Sequence, residues 1–144
     1  MNFRTIQLTN TNIGAVAENG LMPLGNITRK VCCNSTGTKT FDVSTSGADT
    51  ISLNEKGYYT IVYNASIVGT GNAILSLIVN GNSVYSVTQT LTADATSNIT
   101  IPYEVRVFEN CASIQTNNPM SIQVKLTGTA ITSGTSNIIV TRVY

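Results

Sequence analysis

Alternation of apolar and polar residues runs through most of this chain, and no other feature restricts its fold as strongly. The clearest case is the stretch GYYTIVYNASI, residues 57–67, in which Tyr59, Ile61 and Tyr63 share one phase. Successive side chains of a β-strand point to opposite faces, so a period of two predicts a strand with one buried face. No segment shows the 3.6-residue period of an amphipathic helix. The sequence therefore predicts an all-β protein.

Turn residues divide the alternating stretches into roughly eight to ten short strands, which is typical of a β-sandwich or barrel. The strongest hairpin signal is Asn80-Gly81, because a type I′ turn needs positive φ at both central positions. It follows the strand AILSLIV, whose apolar phase includes Leu75 and Leu77. SGTSN, residues 133–137, is also expected to turn before a last strand, IIVTRVY. GLMPLGNI is expected to be irregular or an edge strand because a proline and glycines interrupt it.

Length and charge exclude several classes of protein. A chain of 144 residues fits one domain, and 42% hydrophobic residues exclude a disordered tail. Eight Lys and Arg residues against seven Asp and Glu leave no basic stripe for nucleic acid. No apolar stretch is long enough for membrane insertion, and the N-terminal residues lack the apolar core of a secretory signal. So weakly charged a surface suits a protein that partner subunits cover.

The sequence offers no recognisable catalytic, cofactor or metal site. The absence of histidine excludes Ser-His-Asp and Cys-His arrangements and imidazole ligands. The seven acidic residues are scattered, and no glycine-rich phosphate loop is present. Cys32, Cys33 and Cys111 lack the spacing of a zinc site and are expected to be small buried or half-buried thiols. We therefore expect a protein that is not an enzyme and has no cofactor.

Three of the six tyrosines fall within residues 58–63. They could form a platform on which a carbohydrate stacks, or they could pack, since tyrosine suits a half-buried sheet face. Packing is the favoured interpretation, in a sandwich core or at an axis where subunits meet. We expect Tyr59, Ile61 and Tyr63 to serve assembly, with Leu75 and Leu77 in the sandwich. Which tyrosine phase faces the axis and which the core stays open at this point.

The stretch LNEKGYYTIVYNASI resembles a signature of the globular heads of the C1q/tumour-necrosis-factor superfamily. That signature is a turn followed by a strand of the form G-x-Y-x-apolar-x-aromatic, and Gly57, Tyr59, Ile61 and Tyr63 match it. LSLIVNGNSV resembles the family's apolar strand and Asn-Gly turn, and SIQVKLTG resembles a later alternating strand. The resemblance runs from about Phe41 to the C-terminus. It implies a jelly-roll β-sandwich that assembles as a homotrimer.

Two departures separate the chain from the animal members of that family. NNPM replaces the Gly-Asp that precedes the later strand, and SNIIVTRVY stands where the family has a closing aromatic-Gly-aromatic motif. The chain looks more like bacterial and phage versions of the fold. The resemblance therefore implies a structural protein on the outer surface of a phage virion: a trimeric head fibre, capsid decoration or appendage knob. Its partners would be further copies of itself and other virion proteins of the capsid or tail.

Within one compact domain, residues 41–144 would form the jelly roll and residues 1–40 would dock on the particle or wrap a neighbouring subunit. Three alternatives stay open. The first is a receptor-binding tail tip that holds a host surface glycan in loops containing Thr70, Asn72, Asn117 and Asn118. The second is a depolymerase with carboxylates shared between subunits, and the third is a C1q-like protein of a bacterial spore or cell surface.

Overall fold

The computed structural model describes residues 4–31, 40–44, 48–107 and 120–143, and these residues form ten β-strands and no helix. The strands are β1 (Arg4–Asn10), β2 (Asn26–Val31), β3 (Phe41–Val43), β4 (Ile51–Leu53), β5 (Gly57–Gly69), β6 (Gly71–Val79), β7 (Asn82–Leu91), β8 (Ser97–Val107), β9 (Met120–Thr127) and β10 (Ile131–Arg142).

The strands form two five-stranded antiparallel sheets. Sheet A has the order β2-β1-β10-β5-β8, and sheet B has the order β3-β4-β9-β6-β7. Five of the eight neighbouring pairs of described strands are not consecutive in the chain. The chain changes sheets between β2 and β3, β4 and β5, β5 and β6, β7 and β8, β8 and β9, and β9 and β10. This is the jelly-roll β-sandwich expected from the sequence.

The core lies between the two sheets and consists of the inward phases of the long strands. On β5 every odd-numbered residue from Tyr59 to Gly69 is buried, and on β9 the even-numbered residues from Met120 to Leu126 are buried. Such one-sided burial over many strands is what the period-two pattern predicts.

The segment between β1 and β2, residues 11–25, closes one side of the sandwich. It passes from β10 to β9, where the Ile13 amide donates to the Gly134 carbonyl and the Met22 amide donates to the Val124 carbonyl, both at 2.8 Å. Its apolar side chains are buried: Ile13, Val16, Met22 and Leu24. The expected irregular or edge character of GLMPLGNI is found, since an isolated bridge at Leu21 precedes the edge strand β2.

Two turn predictions had different outcomes. Asn80 and Gly81 have φ of 51° and 82° and join β6 to β7, so the type I′ hairpin prediction is confirmed. The predicted turn at SGTSN is wrong, because residues 133–137 lie inside β10. Pairing with β5 holds all five of these small residues extended, and Ser136 and Asn137 pair with β1 as well. Just before this segment, the pairing of β10 with β5 shifts its register between Ile131 and Ser133, as at a β-bulge.

A polar cluster fixes the turn that precedes β5. Glu55 forms an ion pair with Arg4, and its Oε1 accepts a hydrogen bond from the Thr40 hydroxyl at 2.7 Å. The two charged side chains are only 12% and 16% exposed. Arg142 donates through Nε to the Lys56 carbonyl at 3.1 Å. The start of β5 is therefore anchored to both the first and the last described strand.

Candidate assembly surface

The inner face of β5 belongs to the sandwich core. Tyr59, Ile61 and Tyr63 are fully buried, and so are Leu75 and Leu77 on β6 of the opposite sheet. The structure therefore brings all five residues singled out from the sequence into the space between the sheets. The tyrosine phase that faces outward is the other one, which begins at Tyr58.

The two core tyrosines differ at their hydroxyls. The Tyr59 hydroxyl donates to the Glu55 carbonyl at 2.6 Å, and its ring meets Phe41 edge-on with centroids 6.0 Å apart. Burial raises the pKa of Tyr59 to about 12. The Tyr63 hydroxyl has the buried Ser136 hydroxyl beside it, but neither makes a well-formed hydrogen bond among the described residues. Burial raises the pKa of Tyr63 further still, and the Ser136 hydroxyl acts in the opposite direction.

The outer face of sheet A carries an apolar band. The band consists of Tyr58, Val62, Pro102 and Ile139, which come from three adjacent strands. Val62 lies directly between Pro102 of β8 and Ile139 of β10 in the register. Tyr58 is 42% exposed and Val62 is 37% exposed. The Arg106 guanidinium lies over the Tyr58 ring, 4.8 Å from its centroid. The band leaves apolar surface in water that the sandwich itself does not cover.

An aromatic edge continues the apolar band around the side of the sandwich. It is formed by Tyr85 on β7 and Tyr103 on β8, whose ring centroids are 6.3 Å apart. Tyr85 is 39% exposed. Val62, Pro102 and both tyrosines of this edge line one cleft of about 430 Å³. Val62 and Pro102 are therefore continuous with the aromatic edge, whereas Thr60 and Glu104, which line the same cleft, lie between them and Tyr58.

The other half of the outer face of sheet A is polar, and the part around Asn64 and Asn137 is uncharged. Neighbouring strands are joined there by side-chain hydrogen bonds, from Thr100 to Asn64 at 2.9 Å and from Gln7 to Asn137 at 2.9 Å. A groove of about 450 Å³ crosses this half, and its lining consists of Thr, Asn, Ser, Ala and Ile residues. Because these polar side chains already form hydrogen bonds with one another, burying the apolar band in an interface would lower the free energy more than burying the polar half.

Two of the four residues predicted for glycan-binding loops lie in the described part of the chain. Thr70 and Asn72 are exposed at the β5–β6 connection. The Asn72 Oδ1 accepts a hydrogen bond from Thr90 at 2.9 Å, and the Thr70 carbonyl accepts one from Thr129 at 3.0 Å. Asn117 and Asn118 lie outside the described residues, as do Cys32, Cys33 and Cys111.

The part of the chain that the structure describes contains no group of three or more Cys, Asp or Glu side chains placed to hold a metal ion. It also contains no helix that is long and apolar enough to cross a membrane.

The aromatic edge was not identified from the sequence. Tyr103 does fall in the alternating phase of its strand, which predicts an inward position. In the structure Tyr103 lies next to Tyr85, because β8 and β7 are edge strands of their sheets and meet at the side of the sandwich. Strand order depends on pairings between distant segments, and the alternation of a single strand carries no information about it.

Comparison with known proteins places the fold. No family model and no curated protein sequence matches the chain. Among solved structures, the globular domain of the zebrafish complement 1qA protein matches with a TM-score of 0.69 at 8% identity, covering 98% of both chains. The Eiger TNF of S. frugiperda matches with a TM-score of 0.72 at 9% identity, covering 100% of this chain and 94% of that one. The PRD1 vertex protein P5 matches with a TM-score of 0.62 at 19% identity, covering 98% and 97%.

These identities are low, so the likeness concerns the fold. The predicted C1q/TNF-like jelly-roll β-sandwich is confirmed. The similar structures include a vertex protein of a phage alongside the C1q and TNF domains, and none of the three is named as an enzyme.

Proposed function

We propose that this protein is a homotrimeric structural component of a phage particle, displayed on the outer surface of the virion. Three copies would meet through the apolar band and the aromatic edge. The finer role would be that of a head fibre, a capsid decoration or an appendage knob. Such a role is structural and needs no catalysis.

The exposed apolar side chains of the band and the aromatic edge support this proposal. Tyr58, Val62 and Tyr85 are each more than a third exposed, although the chain already buries a complete core between its sheets. Removing apolar surface from water contributes roughly 25 cal/mol per Å². A stable interface buries about 800 Å² on each partner, which the band, the edge and their polar surroundings could supply together.

The placement of this surface favours a ring of copies. The apolar band lies on a sheet face, while the aromatic edge lies on the side of the sandwich. If the edge of one copy packs on the band of the next, the contact joins two different patches and is heterologous. Heterologous contacts form a closed ring when the rotation between copies closes, and the C1q/TNF resemblance implies a ring of three.

The virion part of the proposal is supported by likeness and by surface chemistry. The PRD1 vertex protein P5 shares the fold over nearly the whole of both chains. The chain has a net charge of +1, and its exposed strands are rich in Asn, Thr and Ser, as suits a rigid protein covered by neighbours on a particle. Residues 1–40 would dock on the capsid or tail, and β1 and β2 within them form one side of sheet A.

A charge placed in the apolar band tests the assembly. Val62→Glu should convert the trimer to monomers, because a carboxylate buried at an interface without a partner is costly. Thr88→Glu is the matched control, since Thr88 is exposed on the outer face of sheet B. Native mass spectrometry reports the state, and circular dichroism checks that both variants keep their strands. A trimer unaffected by Val62→Glu, or disrupted equally by both variants, would refute the proposed interface.

The location is tested separately with intact particles. Antibodies raised against the purified protein should label the outside of virions of the phage whose genome encodes the sequence, as seen by electron microscopy. Antibody adsorbed with excess purified protein is the control. The virion location would be wrong if labelling appeared only on bacterial cells or spores.

A further inference from the structure

The free edge of sheet A offers a second surface, distinct from the apolar band. β2 is the first strand of sheet A and pairs only with β1, so within the described chain its other edge has unpaired backbone N–H and C=O groups. All six residues of β2 are exposed. An open strand edge is a template on which another extended segment can pair.

The other sheet edges in the described chain are less available. β7 and β8 approach each other at the side of the sandwich, where the Tyr85 and Tyr103 rings are in contact. β3 has three residues, which is short for pairing with a further strand. β2 therefore combines length with a free edge.

The side chains of β2 indicate which chemistry would pair with it. Ile27 and Val31 are 46% and 47% exposed, the highest values among the large apolar side chains of the described residues. Arg29 and Lys30 lie between them, and in the described part of the chain neither forms an ion pair. Arg29 and Val31 pair with the uncharged Gln7 and Thr5 of β1 and share one face of sheet A, whereas Lys30 pairs with Ile6 and lies on the other face.

This charge pattern disfavours pairing between two copies of β2. In an antiparallel pair of β2 strands, the adjacent cations of one copy would meet those of the other at opposite or diagonal positions, and like charges facing each other are destabilising. Basic residues on an edge strand are a known protection against such self-association. An incoming strand that carries carboxylates would instead be attracted.

We infer that β2 is a docking strand, which binds an extended acidic segment of another protein by adding it to the edge of sheet A. On the face of sheet A that carries Arg29 and Val31, the segment would place a carboxylate against Arg29 and an apolar residue against Val31. On the opposite face, a second carboxylate would lie near Lys30. This inference deepens the proposed function, because it names the strand and the partner chemistry by which residues 1–40 would attach the protein to a particle. It does not depend on the number of copies in the assembly.

The test uses peptides of about eight residues, the length of an ordinary strand. One repeats Glu-Glu-Val-Val, so that both of its faces carry glutamate and valine two residues apart; a second has lysine in place of each glutamate, and a third is the acidic peptide with a central proline. Fluorescence anisotropy with the whole protein should show at least tenfold tighter binding of the acidic peptide than of either control. Hydrogen exchange should slow at the amides of β2 when that peptide binds.

A charge swap distinguishes docking from general attraction to a basic protein. The double variant Arg29→Glu/Lys30→Glu should bind the acidic peptide at least tenfold more weakly than the wild type does, and should bind the lysine peptide more tightly. Lys125→Glu, on the outer side of β9 in sheet B, should leave both affinities unchanged. The inference is overturned if no peptide binds, if the proline peptide binds equally well, if the swap has no effect, or if protection appears away from β2. Val62→Glu monomers should bind like the wild type, so a failed trimer proposal and a failed docking proposal give different results.

Discussion

Tyr59 and Tyr63 make a matched pair for a test of the core. Both rings are fully buried on the same face of β5, so replacing either with phenylalanine removes only a hydroxyl. The Tyr59 hydroxyl donates a hydrogen bond of 2.6 Å to the Glu55 carbonyl. The Tyr63 hydroxyl is buried without a well-formed hydrogen bond in the described chain. The two substitutions should therefore change the free energy of unfolding in opposite directions.

The magnitudes follow from the hydroxyl environments. Tyr59→Phe loses one hydrogen bond and should lower the free energy of unfolding by about 1 kcal/mol. Tyr63→Phe removes a buried polar group that is poorly compensated, and this should raise the free energy of unfolding by about 1 kcal/mol. Urea denaturation at pH 7 and equal protein concentration measures both. A Tyr63→Phe variant that is destabilised as much as Tyr59→Phe would show that the reasoning about the Tyr63 hydroxyl is wrong.

The same pair predicts how stability depends on pH. The pKa of both tyrosines is higher in the folded state than the value near 10 of an unfolded chain, so the folded state holds these protons longer. Their contribution is complete below pH 10 and is lost as the pH rises, by about 1.4 kcal/mol per pH unit for each tyrosine. Unfolding from pH 8 to 12 should show this loss, and either phenylalanine variant should halve the slope. A slope that neither variant changes would contradict the assignment.

Three further substitutions test two glycine positions and the polar cluster. Gly128→Ala should lower the free energy of unfolding by about 3 kcal/mol or more, because the φ of Gly128 is +87° and a Cβ would lie 2.3 Å from a backbone oxygen of β6. Gly81→Ala should lower it by only about 1 kcal/mol, because Gly81 has a similar φ of +82° but open space around the new Cβ. Thermal unfolding compares the two, and equal losses would contradict the predicted contact. Glu55→Ala should cost about 3 kcal/mol, because it leaves the Arg4 guanidinium nearly buried without its carboxylate. A loss below 1 kcal/mol in urea denaturation would mean that water replaces the pair.

The alternation of the sequence predicts the strands well and their arrangement poorly. The phase of β5 and the Asn80-Gly81 hairpin follow from local rules, since side chains alternate and the turn needs positive φ. The pairing of β5 with β10 and β8 joins segments far apart in the chain, and only the family resemblance could suggest it. The mistaken turn at residues 133–137 has the same origin, because neighbouring strands hold small polar residues extended there.

The candidate surface shows the same division. Tyr59 and Tyr63 could be placed on one strand face from sequence, but both faces of β5 carry tyrosine, so the pattern alone left the inward phase open. The opposite sheet decides it, because the apolar phases of β6 and β9 provide the buried side. The apolar band depends on how β10, β5 and β8 are aligned, and the docking strand depends on β2 being an edge. The sequence of a single strand determines neither its alignment with other strands nor its position at a sheet edge.

The mass of the native protein tests most directly whether the exposed apolar surface is shared between copies. Native mass spectrometry and light scattering at micromolar concentration should give one species with three times the mass of the 15.3 kDa chain. That species should persist on dilution, as expected for a largely apolar interface. A folded monomer at that concentration would mean that Tyr58, Val62 and Tyr85 remain in water in the native state, and the proposed assembly would be wrong.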